Sequence, residues 1–192
     1  MTLFGTLIEV VAALEASEIP YVVGGSVASS TWGKQRATQD IDIAVFLRVD
    51  KIQKLRANLP EHYLMETGEL EEYAKSAWDF QCGQILHMLH VDRVDLFVLE
   101  DTEFNRSRLS RAIEARLLPD VVVRVSSPED IILTKLRWYE LGRGISDRQW
   151  NDLVLVIETQ GDDLDWTYLE KWAAHFGLAE LLAEAKAEAI QP

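Results

Sequence analysis

Apolar residues at Leu3, Leu7, Val10, Val11 and Leu14 recur at helical spacing, and this first helix is expected to end near Ser17, before Pro20. Tyr21 to Val23 is a short apolar run read as a strand, and Gly24-Gly25-Ser26 follows it as a turn into a short helix. After a polar loop carrying Lys34 and Arg36, Asp40 to Leu47 alternates acid with aliphatic and then turns wholly apolar, a second strand. Asp50 is placed to cap a helix from Lys51 to Leu59, stopped by Pro60. His62 to Met65 reads as a short strand and Glu69 to Ala77 has helix-forming composition. Phe80 to His87 and Val91 to Leu99 read as adjacent strands or a hairpin with its turn near His90. Phe104 to Leu117 is expected to be helical, and Val121 to Val125 is a β-branched run.

From residue 126 the pattern is helical. Ser127-Pro128-Glu129-Asp130 combines a capping serine, proline at the first helical position and an acid at the third, and predicts a helix running to about Leu141 and stopping at Gly142. Ser146-Asp147-Arg148-Gln149 repeats the signal for a helix through Glu158, and Trp166 to Phe176 and Leu178 to Ile190 complete the set. The reading is an α/β (α+β) core over residues 1–125 with a helical C-terminal region over 126–192.

Composition narrows this picture. A chain of 192 residues with 48% hydrophobic content buries a proper core. No apolar run is long enough for a membrane helix, and the N-terminus carries Glu9, Glu15 and Glu18 where a signal peptide would be basic. Cys82 is the only cysteine, which excludes an internal disulfide and a thiolate zinc cluster, so a cytoplasmic protein with no membrane partner is expected. A net charge of −13 weighs against broad nucleic-acid binding. The dense basic stretch is Arg106, Arg108, Arg111 and Arg116, and on a helix Arg108 and Arg111 would share a face. The histidines show no ligand spacing, and His87 with His90 is expected to flank a turn. Tryptophans such as Trp138, Trp150, Trp166 and Trp172 are expected to pack the helical region.

The chemistry concentrates between residues 21 and 47. Glycine at 24 and 25 permits positive φ and close approach of a phosphate to the backbone. On a strand, Asp40 and Asp42 project from the same face, and two adjacent carboxylates need something positive between them. A hard divalent cation with oxygen ligands meets that need, magnesium where substrate phosphates supply further ligands. Gly24-Gly25-Ser26 followed by Asp40-Ile41-Asp42 resembles the signature of the DNA polymerase β-like nucleotidyltransferase superfamily, a glycine-serine turn followed by a strand with two metal-binding aspartates.

The resemblance implies a nucleotidyltransferase fold, with a mixed β-sheet flanked by helices. It implies Mg2+ or Mn2+ as cofactor, and a nucleoside triphosphate, ATP among them, as substrate. Transfer of this type uses two metals, which need about three carboxylates. Asp92 and Asp95 are the candidates for the third. Asp92 lies near the turn, whereas Asp95 interrupts the apolar Val94-Asp95-Leu96-Phe97-Val98. The resemblance implies Asp95.

The helix SPEDIILTKL is similar to one in abortive-infection-type (AbiEii-like) toxin nucleotidyltransferases, in which a lysine holds the place of Lys135 and a later helix carries acids. Carried over, Lys135 would contact the triphosphate and Asp152 would be the later acid, with Asp147 on the same helix as its competitor. A possible antitoxin partner comes with the same resemblance.

Structural alternatives stand beside each assignment. Gly24-Gly25 serves equally as an ordinary turn, Asp40 and Asp42 as strand-end acids paired with Arg36 or Lys34, Asp95 as a salt-bridged acid, and Lys135 as a snorkelling side chain. The functional expectation is transfer of a nucleoside monophosphate to an acceptor hydroxyl with release of pyrophosphate. The acceptor would be compact, a small molecule, a protein side chain or an RNA end, and not extended duplex. The alternative is a catalytically silent module that binds a protein. A dinucleotide-dependent oxidoreductase is disfavoured, since no G-x-G-x-x-G turn follows a strand.

Overall fold

The computed structural model describes residues 3–34, 38, 40–76, 80–90, 92–119 and 121–190. Arg36, Ala77 and Val91, which the sequence reading includes, lie outside the described residues. The chain forms two compact units, Met1–Val27 with Ala37–Val125, and Ala28–Arg36 with Ser126–Pro192. The division falls inside helix α2 (Gly25–Trp32).

The first unit is built on a seven-stranded mixed sheet: β1 (Tyr21–Val23), β2 (Asp40–Val45), β3 (Tyr63–Met65), β4 (Gln81–His87), β5 (Arg93–Val98), β6 (Ile113–Leu118) and β7 (Val121–Val125). The spatial order is β3-β4-β5-β2-β1-β7-β6. β2 and β5 run parallel at the centre, with Asp40 opposite Arg93, Ile41 opposite Val94 and Asp42 opposite Asp95. Strand alternation then divides the residues between two faces.

Ile41, Ile43, Val45, Val94, Leu96 and Val98 form one face, all buried. The helices packed there are α1 (Leu3–Ala16), α3 (Val49–Asn58) and α4 (Thr67–Tyr73), which bury Leu7, Val10, Leu14, Ile52, Leu55 and Leu70. Each large aliphatic side chain so buried contributes about 1.5–3 kcal/mol to the gross hydrophobic term. Gly83 of β4 lies directly beneath Leu70, so that an added Cβ would come within 2.5 Å of Leu70 Cδ2. On the other face, α5 (Glu103–Ser110) brings Leu109 onto Val22 and Ala44, with Phe46, Phe97, Leu99 and Ala112 around them. That apolar cluster lies toward the ends of β2 and β5, and their beginnings on the same face are polar.

Two expectations are corrected here. The helix expected over Phe104 to Leu117 stops at Ser110, and residues 113 to 118 are an edge strand antiparallel to β7. Glu114 and Arg116 point outward and Ala115 inward, a period-two alternation that lets the ladder with β7 override helix propensity. The cap of α3 is Arg48, without a side-chain bond; Asp50 sits in the first turn, bonded to Arg48 at 2.9 Å. An acid there still favours the helix N-terminus through the dipole.

The second unit contains α6 (Pro128–Leu141), α7 (Asp147–Gln160), α8 (Trp166–Phe176) and α9 (Ala179–Ile190). Ser127, Ser146 and Asp165 each accept a hydrogen bond from the backbone N–H three residues on, and Gly177 closes α8 at φ 72°, where glycine carries no Cβ penalty. Ile131, Ile132, Leu133, Leu136, Leu153, Val156, Ile157, Leu169 and Trp172 are buried. Trp32 of the short segment donates to Ser126 O at 2.7 Å and accepts from Gln160 at 2.7 Å, which ties residues 28–36 into this unit.

Candidate functional site

The site is laid out by the parallel register of β2 and β5. Asp40 and Asp42 on one strand and Arg93 and Asp95 on the other occupy four adjacent positions of one face, three acids and one arginine. Arg93 Nη2 lies 3.3 Å from Asp40 Oδ2, and Arg93 Nε lies 3.1 Å from Asp95 Oδ1. Thr38 Oγ1 donates to Asp40 Oδ1 at 2.8 Å, and Gln84 Nε2 donates to Asp95 Oδ1 at 3.2 Å.

Asp95 is only 7% exposed. Burial raises its pKa above the usual carboxylate range, with Arg93 and Gln84 acting in the opposite sense. Cys82, on the neighbouring strand, has its thiol pushed up to about 12 by burial and by the charges of Asp95 and Asp42. Without a metal the thiol is thereby held protonated and is a poor nucleophile.

The glycine turn meets Asp42 directly. Gly24 N donates to Asp42 O at 2.8 Å, and Gly25 begins α2 at φ 51°. A Cβ on Gly25 would overlap the Asp42 carboxylate and approach Asp42 Cβ to 2.8 Å. Gly25 is thus required twice, by its left-handed backbone and by the carboxylate that occupies the place of its side chain. Ser26 follows it, buried at 6% exposure. The first backbone N–H groups of α2 and an aspartate face are brought together, the arrangement that a phosphate and its counter-cation need. The donors are all carboxylate oxygens, the set that suits a hard divalent cation, and Arg93 already sets positive charge between two of them.

Within the helical unit, Lys135 is 4% exposed and places Nζ 2.8 Å from Asp152 Oδ2 and 3.1 Å from Gln149 Oε1. This buried pair replaces the snorkelling alternative, and of the two acids on α7 it is Asp152 that meets Lys135. Asp130 accepts from Tyr168 Oη at 2.7 Å and from Ser127 Oγ at 2.9 Å, and Glu129 accepts from Asp165 N at 3.0 Å, so both acids of the α6 start serve the helix junction. Lys34 pairs with Glu158 at 3.7 Å.

Arg93 is the residue that sequence reading missed. Its signal was present in the spacing, two positions before Asp95 on a strand and hence on the same face. A second grouping was hidden by its distance along the chain: Glu9, His62 and His87 bring ligand atoms within 4.8 Å of one another. His87 Nδ1, however, accepts from the backbone N–H of Leu89 at 3.2 Å and of His90 at 3.3 Å. Its other nitrogen then carries the proton in the neutral ring, so neither nitrogen offers a free lone pair for a metal. Glu9 instead accepts from Tyr63 Oη at 2.8 Å and bonds His62 Nε2 at 3.3 Å, locking α1 to β3. The basic stretch disperses as well. Arg106 pairs with Asp101 at 2.6 Å, Arg108 is 6% exposed, Arg111 lies at the end of α5 and Arg116 is on β6.

No known family pattern matches the sequence, and no curated protein matches it. Solved structures do match. The crystal structure of ANT(2'')-Ia in complex with adenylyl-2''-tobramycin gives a TM-score of 0.60 at 13% identity, over 92% of this chain and 99% of that one. The solution structure of the same antibiotic-resistance factor gives 0.56 at 13% identity, over 94% and 96%. An antigenic nucleotidyltransferase-like protein from Paracoccidioides brasiliensis gives 0.54 at 20% identity, over 96% and 92%. The chain has a nucleotidyltransferase fold. The mixed sheet with flanking helices expected from the Gly-Ser turn and paired aspartates is therefore the fold observed.

Proposed function

We propose that this protein transfers a nucleoside monophosphate from a nucleoside triphosphate to an acceptor hydroxyl, releasing pyrophosphate. The observation that carries the reading is the convergence of Asp40, Asp42 and Asp95 on one sheet face, with Asp42 seated against the Gly25 turn. Asp40, Asp42 and Asp95 would hold magnesium or manganese, which when bound supplies the positive charge that acidifies the acceptor hydroxyl and neutralises the triphosphate. The backbone amides at Gly25 and Ser26, with the Ser26 hydroxyl, bind and orient phosphate oxygens. Gly24 holds the turn against β2 through its bond to Asp42 O. Thr38 and Gln84 hold the Asp40 and Asp95 carboxylates in place.

The roles of Lys135 in offsetting triphosphate charge and of Asp152 as the later acid of the site rest on the AbiEii-like resemblance, as does the antitoxin partner. The division into a core over 1–125 and a helical region over 126–192 rests on the change of pattern at residue 126, and the cytoplasmic location on the single cysteine and the acidic N-terminal helix. The small-molecule adduct named for ANT(2'')-Ia supports a compact acceptor. So does the dispersal of the arginine stretch, since polynucleotide binding draws on a continuous cationic surface.

A catalytically silent, protein-binding module is the second reading. It is favoured by one feature, the satisfaction of Asp40 and Asp95 by Arg93 without any ligand. Incubation with each labelled nucleoside triphosphate and a cell extract separates the two. Magnesium-dependent labelling of an acceptor, abolished in Asp42→Asn, is expected. Unchanged magnesium and nucleotide affinity of Asp42→Asn by calorimetry would overturn the metal assignment.

A further inference from the structure

Three carboxylates on adjacent positions of a sheet repel one another, yet the fold holds them there. The fourth position of the same rectangle is Arg93, and its guanidinium bridges Asp40 and Asp95 through separate nitrogens. Resting on the metal-site reading above, we propose that Arg93 and a divalent cation compete for the same carboxylate oxygens. Binding of the cation requires the guanidinium to leave Asp40 and Asp95.

The geometry supports competition over mere support. A divalent ion of the magnesium class needs oxygens at about 2.0–2.1 Å. At Asp40, Oδ1 accepts from Thr38 and Oδ2 faces Arg93; at Asp95, Oδ1 is shared by Arg93 and Gln84. An ion drawing on Asp40 Oδ2 and Asp95 Oδ1 must enter the space that the guanidinium spans. Like charges also repel, so a bound dication and a guanidinium lying between the same two acids each weaken the other. The arginine is free to yield: its side chain is 44% exposed, whereas that of Asp95 is 11% exposed. The acids thus stay anchored in the strand while the long flexible side chain moves. Gln84 and Thr38 are neutral and remain compatible with either occupant.

The consequence is a set-point on metal affinity. The arginine offsets part of the negative charge of the acidic face, and it lowers the affinity for the cation by the work of displacing it. Two partly exposed ion pairs are together worth about a tenfold change in an equilibrium constant.

The test uses chelator-treated full-length protein without nucleotide. Manganese binding is followed by electron paramagnetic resonance, and magnesium binding by calorimetry, for the wild type, Arg93→Gln and Arg93→Lys. Arg93→Gln is expected to bind manganese about tenfold more tightly, and Arg93→Lys to fall between the two. In the wild type, the Arg93 Nε–H resonance is expected to shift as magnesium is added and to stay fixed in Asp42→Asn. That reading needs no Arg93 variant to fold. Equal or weaker metal binding by Arg93→Gln, or an Arg93 resonance indifferent to magnesium that does bind, overturns the competition and leaves the metal site standing. Absence of metal binding in both proteins overturns the two together.

Discussion

Substitution of Gly25 by alanine tests whether the turn and the aspartate strand are fitted to each other. The backbone there has φ 51°, and an L-residue in the left-handed region costs about 1–2 kcal/mol. The new methyl group would also overlap the Asp42 carboxylate and lie 2.8 Å from Asp42 Cβ, an atom that a side-chain rotation cannot move. Forcing a methyl group into filled space costs about 1–3 kcal/mol more. The expected loss is about 2–5 kcal/mol, a large share of the roughly 5–15 kcal/mol that holds a domain folded. Urea denaturation measures it against two internal references. At Gly24 the nearest atom to an added Cβ is Asp42 O at 3.9 Å, so Gly24→Ala should cost little. At Gly68, in the first turn of α4, nothing lies within 4 Å, so Gly68→Ala should stabilise by up to about 1 kcal/mol. Combining Gly25→Ala with Asp42→Ala removes the carboxylate but leaves Asp42 Cβ, and should recover part of the loss as a coupling energy. A Gly25→Ala protein as stable as Gly24→Ala, or a double variant that adds without coupling, would refute the reasoning.

Lys135→Met leaves the Asp152 charge buried without its ammonium, and should cost about 3–5 kcal/mol, while pairing it with Asp152→Leu should recover most of that in thermal melts. Loss of triphosphate affinity in that double variant, with stability restored, would mark a phosphate role for the lysine; unchanged affinity would refute one. Glu18 has its pKa lowered from 4.5 to about 2 by the hydrogen bonds and charges of Lys51 and Lys54. Its contribution is therefore present above pH 4.5 and lost as pH falls through 4.5 toward 2, so the difference in melting temperature between wild type and Glu18→Gln should fade over that window and shrink in high salt. Arg108, buried against the Phe104 ring at 5.7 Å and bonded to Asn105, should on change to alanine destabilise the fold by about 1–3 kcal/mol and leave duplex binding in a filter assay unaltered.

Where the sequence was legible, a local pattern had one physical solution. Ser127-Pro128 and Ser146 gave their helix starts correctly, because a capping side chain satisfies backbone donors whatever surrounds it. The parity of Asp40 and Asp42 against Ile41 and Ile43 followed from the strand repeat alone. Residues 104 to 117 failed because their fate is decided elsewhere: the ladder from Val121–Val125 captures Ile113–Leu118, and nothing within the segment states that a partner strand is waiting. Trp32 is held by Ser126 and Gln160, about a hundred residues away or more, contacts that no pattern around residue 32 announces.

The same distinction governs the site. Gly25, Asp40, Asp42 and Asp95 are recognisable because each acid or glycine sits where its local environment resists it: an acid in an apolar strand, a glycine where a helix begins. Arg93 escapes that filter. An arginine at the start of a strand after a turn is what solvent exposure would place there, and only the register, Asp40 opposite Arg93 and Asp42 opposite Asp95, turns it into a member of the charged rectangle. A residue that violates no local rule can therefore still set the chemistry of a site, through neighbours supplied by pairing. Lys135 shows the converse. Its buried charge breaks a local rule, and inside the helical unit Asp152 and Gln149 lie against it. Local conflict marks where a compensation must exist; only the fold shows whether the compensation is a ligand or another residue of the chain.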